Sequence, residues 1–273
     1  MSAAKPPRIL IIAGSDSSGG AGIQADIKTV TALGAYAMTA ITAVTAQDTM
    51  GVHAVHLLPP ELVRAQIIAC LNDIGADVIK IGMLGSADIC EAVAGELEAH
   101  ARAIPLVIDP VMASTSGTKL LDDDTLTMTK SRLFPLATLV TLNIPEAEIL
   151  SGVSICSEDE LIEAVRRLGL IRAKAILIKG GHATWKAAEV VDSLFEVDSD
   201  ESFYFESPRV DTKNTHGTGC TLATAIAVGL AQGLSLSDAV ERAHHFVHEA
   251  IRTAPGFGSG QGPLNHMHAV RSI

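Results

Sequence analysis

Short apolar, β-branched runs alternate with helix-patterned segments along the first two thirds of this chain, and that alternation limits the fold more than any other feature. The runs at 8–13, 37–45, 78–81, 106–108, 138–141 and 175–178 read as strands. Between them, 22–33, 60–72, 87–100, 123–134 and 157–168 read as helices. Strands that are apolar throughout need cover on both faces, which a parallel sheet obtains from crossover helices of one hand. After Lys179 the pattern changes. Residues 190–197 and 202–205, either side of the acidic turn Asp198-Ser199-Asp200-Glu201, read as an antiparallel hairpin on the sheet edge. A loop holding His216 and two closing helices complete the pattern. No repeat, low-complexity tract or linker interrupts 1–273, so one α/β domain is expected, with the polar residues 1–7 flexible.

Composition removes several classes of function. A formal charge of −11, no basic stripe and only 3% aromatic residues oppose nucleic-acid binding, which needs clustered cations or stacking rings. No stretch approaches the roughly 20 apolar residues of a membrane span. No signal-peptide pattern opens the chain. Cys70, Cys90, Cys156 and Cys220 form no Cys-x-x-Cys pair, which fits free thiols in a reducing cytoplasm better than zinc or disulfides. A cytoplasmic protein is therefore expected.

Ligands of parallel sheets bind at the carboxyl ends of strands, where the unusual residues gather. Gly14-Ser15-Asp16 begins a loop with further glycines at 19, 20 and 22, suited to close approach of a small molecule; it matches neither a P-loop nor a dinucleotide fingerprint. Gln47 offers both donor and acceptor to the edge of a heterocycle, although a surface Gln is the ordinary alternative. Met83 could pack on a flat ring or simply fill core. Asp109 and Glu146 are acids at neighbouring strand ends, suited to Mg²⁺ held largely through water, and Asn143 can reach a phosphate or that ion. Glu146 also suits a helix N-terminus. Lys179, before Gly180 and Gly181, is a candidate point charge for a nucleotide phosphate. His244, His245 and His248 share a helical pattern but lack an acidic partner in any zinc arrangement, and read as surface or packing residues. The glycine-rich segment 256–263 reads as a flexible loop near the site.

The run Asn214-Thr215-His216-Gly217-Thr218-Gly219-Cys220 precedes a helix-like segment. A glycine turn at a helix N-terminus presents unpaired amides and a positive dipole end to an anion, phosphate above all. The same field should lower the pKa of Cys220. A plain helix cap with a buried cysteine is the alternative.

Together these segments resemble the hydroxymethylpyrimidine/phosphomethylpyrimidine kinases of thiamin biosynthesis, members of the ribokinase-like superfamily. The likeness runs from Ala13 to His266. It implies a ribokinase-like three-layer α/β/α fold, with a mostly parallel central sheet and an antiparallel edge hairpin. It also implies a homodimer that uses ATP and Mg²⁺ to phosphorylate 4-amino-5-hydroxymethyl-2-methylpyrimidine, and then its monophosphate. By resemblance the pyrimidine pocket falls on Gly14, Ala21, Asp26, Gln47, Met83 and Val111. ATP falls on Asn143, Lys179 and Thr215, the metal on Asp109 and Glu146, and the anion hole on Gly217, Thr218 and Gly219. Cys220 stands where sugar kinases carry an aspartate base. Ser17 and Leu142 replace prolines common in the family, with only loop stiffness affected. A pyridoxal kinase or dual enzyme is the alternative within kinases. A Cys220–His216 thiol hydrolase and a non-catalytic pyrimidine-binding protein are alternatives outside them.

Overall fold

The computed structural model describes residues 5–113, 117, 120–197, 199 and 201–270. Its strands are β1 (Arg8–Asp16), β2 (Tyr36–Gln47), β3 (Val52–Leu57), β4 (Val78–Ile81), β5 (Leu106–Ile108), β6 (Leu139–Asn143), β7 (Ala175–Lys179), β8 (Glu189–Glu196) and β9 (Glu201–Pro208). Its helices are α1 (Gly22–Ala32), α2 (Pro60–Asp73), α3 (Ala87–His100), α4 (Asp123–Met128), α5 (Ile144–Ser151), α6 (Glu158–Leu168), α7 (Thr218–Ala231) and α8 (Leu236–Arg252). All the strands form one sheet in the order β3-β2-β1-β4-β5-β6-β7-β8-β9. From β2 to β7 the neighbours are parallel; β3, β8 and β9 join antiparallel at the two edges.

The strands sort their side chains onto two faces. Leu10, Ile12, Ile79, Ile81 and Ile108 pack against Val63, Ile67, Ile89, Val93, Phe134, Leu161 and Leu168 on one side. Ile9, Ile11, Val78, Val107 and Leu177 pack against Ile23, Val30, Leu222, Ile226, Val240 and Phe246 on the other. Adjacent residues of β1 therefore serve opposite helical layers, as the period of two requires. Truncating a fully buried leucine or isoleucine among them, such as Leu10 or Ile12, to alanine costs about 2–5 kcal/mol. The three-layer α/β/α expectation holds.

Three local readings change. β3 was not expected: five of its six residues are exposed, so it carries no burial pattern to read. The single helix expected at 123–134 stays α-helical only to Met128, passes through a π turn over Thr129–Leu133 and ends in a 3₁₀ turn at Phe134–Leu136. Thr129 and Ser131 donate to the carbonyls of Thr125 and Thr127, and Pro135 has no N–H for the next helical bond. The edge hairpin is present, with residues 198 and 200 of its turn outside the described set. Of the segment expected to be flexible, 1–4 also lie outside it, while the Pro7 carbonyl accepts from Tyr36 N.

Candidate active site

Strand order reverses around β1, which has β2 on one side and β4 on the other, and a crevice opens at such a switch point. Here a cavity of ≈ 650 Å³ opens along the carboxyl ends of the strands. Gly14, Gln47, Met83, Asp109, Asn143 and Lys179 all line it, as do Ala21, Val111, Glu146, Thr215 and the run Gly217–Cys220.

On the β1 side the loop is organised by Asp16. Its carboxylate accepts from the amides of Ser18 (2.8 Å), Gly20 (3.1 Å) and Ala21 (2.8 Å), and lies 2.8 Å from His216 Nε2. Burial alone would raise its pKa; His216, Ser18 and the amides outweigh burial and hold it below the ordinary carboxylate value. Gly14 packs against the Met83 methyl, since a Cβ there would come within 2.6 Å of Met83 Cε and push that side chain aside. Gln47 Nε2 lies 3.5 Å from His216 Nε2, and its Oε1 accepts from Thr45 Oγ1 at 3.1 Å. Val111 adopts φ +40, an uncommon conformation for a β-branched residue that costs on the order of 1–3 kcal/mol. The wall formed by Met83 and Val111 is thus apolar and fixed, with Gln47 as its polar edge.

Asp26 corrects the expected pyrimidine pocket. It is fully buried on α1 and does not line the cavity. Its carboxylate pairs with the equally buried Lys80 at 2.8 Å and accepts from Thr224 Oγ1 at 2.7 Å. Burial would strip the Lys80 proton, but Asp26, with Cys220 and Asp109 also near, raises its pKa instead. This pair forms a charged floor under the site; a buried acid must find its partner inside the fold.

The acids at β5 and β6 meet as expected. Lys179 Nζ lies 2.7 Å from Asp109 Oδ1 and 3.8 Å from Glu146 Oε2. Thr141 Oγ1 also donates to Asp109 at 3.2 Å. Asn143 and Glu146 form a reciprocal capping box on α5, each backbone N–H donating to the other's side chain at 2.8 Å. The ordinary helix-terminus role of Glu146 and its place beside Asp109 therefore coexist. Burial raises the Glu146 pKa, with Lys179 opposing and Asp109 adding to the rise. Burial would lower Lys179, but Asp109 and Glu146 together raise it.

The N-terminus of α7 faces these charges. Gly217 is its N-cap at φ 87, and no side chain caps the helix; Thr218 N donates back to Thr215 O at 3.3 Å, which leaves the following amides of the first turn for an anion. A Cβ on Gly217 would overlap the Gly20 carbonyl oxygen, so the two loops touch through bare backbone. A Cβ on Gly219 would lie 3.1 Å from Asp109 Oδ2 and 3.3 Å from Lys179 Nζ. Cys220 follows, partly exposed in the cavity, with the Gly22 N–H on its sulfur. The expected fall in its pKa is overturned: burial pushes the thiol up to about 11, although Lys80 opposes. A helix terminus helps an ionised thiol only as far as desolvation permits. His216 Nε2 is engaged by Asp16.

Other expectations need amendment. The segment 256–263 is laced down: Gln261 N donates to Thr49 O, His216 N to Gly262 O, and Thr215 Oγ1 to Gln261 Oε1. Of the three α8 histidines only His245 is a surface residue. His244 is buried, with Asp192 from β8 as its acidic partner at 2.8 Å, and His248 Nε2 lies 3.2 Å from Pro208 O. Sequence reasoning placed Asp16 at a strand end without reading its role, and missed Lys80, Asp192 and the Val111 conformation. Only Asp16 carried a local signal, as the one acid in a glycine-rich loop.

For Mg²⁺, the donors present are two buried carboxylates. Among the described residues no group of three or more His, Cys, Asp or Glu could cage a metal. That donor set fits an ion held by waters and substrate phosphates.

The family model described as phosphomethylpyrimidine kinase matches residues 16–265. The chain is 49% identical over 265 residues to the thiamine biosynthesis bifunctional protein ThiED of Geobacter sulfurreducens; the match covers 97% of this chain and 53% of that protein, about half its length. It is 44% identical over 265 residues to the hydroxymethylpyrimidine/phosphomethylpyrimidine kinase of Bacillus subtilis, covering 97% and 96% of the two chains. Among solved structures, an ADP complex of Bacillus subtilis pyridoxal kinase superposes with a TM-score of 0.87 at 34% identity, covering 96% and 98%. The chain belongs to the phosphomethylpyrimidine kinase family.

Proposed function

We propose that the protein transfers the γ-phosphoryl group of ATP to the hydroxymethyl group of 4-amino-5-hydroxymethyl-2-methylpyrimidine, and then to the resulting monophosphate, in thiamin biosynthesis. The observation that carries this reading is the convergence of the α7 N-terminus on the Asp109–Lys179–Glu146 cluster, beside an apolar wall with one amide edge. The Gly217–Gly219 amides hold the transferring phosphoryl group. Lys179 balances its charge, and Asp109 and Glu146 hold hydrated Mg²⁺. Asn143 and Thr215 border the nucleotide. Gly14, Ala21, Gln47, Met83 and Val111 seat the heterocycle, and Cys220 Sγ takes the hydroxyl proton. When bound, Mg²⁺ would neutralise charge on the β- and γ-phosphates. Phosphoryl transfer depends chiefly on positioning and charge neutralisation, so the cradle should matter at least as much as the thiol.

A second reading, pyridoxal phosphorylation, is favoured by the likeness to the pyridoxal kinase fold and by a pocket sized for either ring. Incubating the purified protein with MgATP and each of the pyrimidine, its monophosphate and pyridoxal, with products identified by mass, separates the two. No phosphorylated pyrimidine would refute the first reading. A non-catalytic pyrimidine binder would show no ATP turnover.

The proposed assembly is a homodimer, supported by exposed Tyr36, Val44, Val55, Leu57 and Leu62 around the β2–β3 edge; light scattering tests it. A cytoplasmic location is proposed from the four free thiols. Among the described residues no helix is long and apolar enough to cross a membrane.

A further inference from the structure

A second cavity, of ≈ 280 Å³, lies on the other face of the sheet edge from the first. β8 separates the two: Val190 and Asp192 line the first, and the alternate residues Val191, Ser193 and Phe195 line the second. None of the proposed roles reaches it. Leu161 of α6 and Ile178 of β7, both buried, give it an apolar floor. Glu158 and Glu206 line it and are exposed, so it opens to solvent.

Three aromatic side chains line this small space. Phe195 and Tyr204 are diagonal neighbours across the β8–β9 ladder, with ring centroids 6.3 Å apart and planes at 87°. Trp185, half-buried, is the third. The charge beside these rings is one-sided. Lys186 Nζ lies 2.9 Å from Glu158 Oε1. Its hydrogen bond to Glu158, with the charges of Glu158, Glu206 and Glu189, raises the Lys186 pKa. Three carboxylates therefore surround one ammonium, and an anionic ligand would be repelled. Aromatic faces carry negative potential, so rings and carboxylates together select a cation.

We propose that this cavity binds a small methylated ammonium cation, its methyl groups against Trp185, Phe195 and Tyr204 and its charge answered by Glu158 and Glu206. Such a cation presents an apolar surface to the rings and still needs counter-charge nearby, which the rim supplies. Lys186 is the competitor it must displace from Glu158.

Trp185 is the one tryptophan of the chain, so the intrinsic fluorescence of the whole protein reports on this cavity directly. Titration with choline should give a saturable change, with matching heats in calorimetry. 3,3-Dimethylbutan-1-ol, which is choline with carbon in place of nitrogen, should bind about tenfold more weakly. Lys186→Gln removes the competing ammonium and should tighten choline. Glu158→Gln/Glu206→Gln should weaken choline at least about threefold and leave the alcohol unchanged. If either variant does not fold, the wild-type comparison of choline with the alcohol still decides. No saturation by choline in either measurement, or equal affinity for choline and the alcohol, overturns the proposal. Phosphoryl transfer at the first cavity stands or falls separately, because no step of this binding uses ATP.

Discussion

A thiol pushed up to about 11 makes a measurable demand on the pH dependence of the reaction. At pH 7 such a group is ionised in about one molecule in 10⁴. If the Cys220 thiolate takes the hydroxyl proton, kcat/KM for the pyrimidine at saturating MgATP reports that ionisation in the nucleotide-bound enzyme before the pyrimidine arrives. It should then rise about tenfold per unit from pH 6 to pH 9, with no plateau in that range. Initial rates of ADP release at subsaturating hydroxymethylpyrimidine and saturating MgATP measure the profile. Cys220→Ser keeps the size of the side chain but loses the thiolate, and should lower kcat/KM by about 10²–10⁴, the usual worth of a general base. A flat wild-type profile, together with near-normal turnover by Cys220→Ser, would refute the base assignment. The proton would then leave without help from the thiol, and the Gly217–Gly219 amides and their neighbouring charges would carry the reaction.

Three further outcomes follow from the geometry. Lys80→Met leaves the Asp26 carboxylate buried beside Thr224 alone and should cost about 3–5 kcal/mol in urea unfolding, whereas Lys80→Met/Asp26→Leu should recover much of it; equal stability of the two variants would contradict an energetically coupled pair. Gly217→Ala places a Cβ on the Gly20 carbonyl oxygen at a positive φ, and should weaken ADP binding and lower the unfolding midpoint together; unchanged affinity would show that the two loops need not touch. Because the Asp16 pKa is lowered on folding, its contribution is present above the ordinary value of 3.8 and is lost as pH falls through the folded one. Asp16→Asn should therefore flatten the stability curve below about pH 4, and an unaltered acid limb in urea titrations would count against its hydrogen bonds.

The sheet was legible because β1, β4 and β5 are buried on both faces, so their composition alone declares them. β3 was not, since an exposed edge strand answers to its partner β2 rather than to any core. The strand-end residues were found by position: a polar or glycine residue just past an apolar run has few structural reasons to be there. Partners were another matter. Asp26 meets Lys80, 54 residues away, and Thr224, 198 residues away, and nothing local to α1 announces that its carboxylate points into the protein. His244 and Asp192 are separated by 52 residues. For Cys220 the helix terminus was visible in the sequence and the depth of burial was not, so the direction of its pKa shift was misread.

The backbone contact between Gly20 and Gly217 fuses the loop after β1 to the N-terminus of α7 at a single seam, with no side chain between them to yield. His216 and Asp16 fasten the same seam from the interior. Neither loop can therefore be altered without disturbing the other. On the proposed reading, a change of substrate would fall to the walls at Gln47, Met83 and Val111, while the Gly20–Gly217 seam stays as it is.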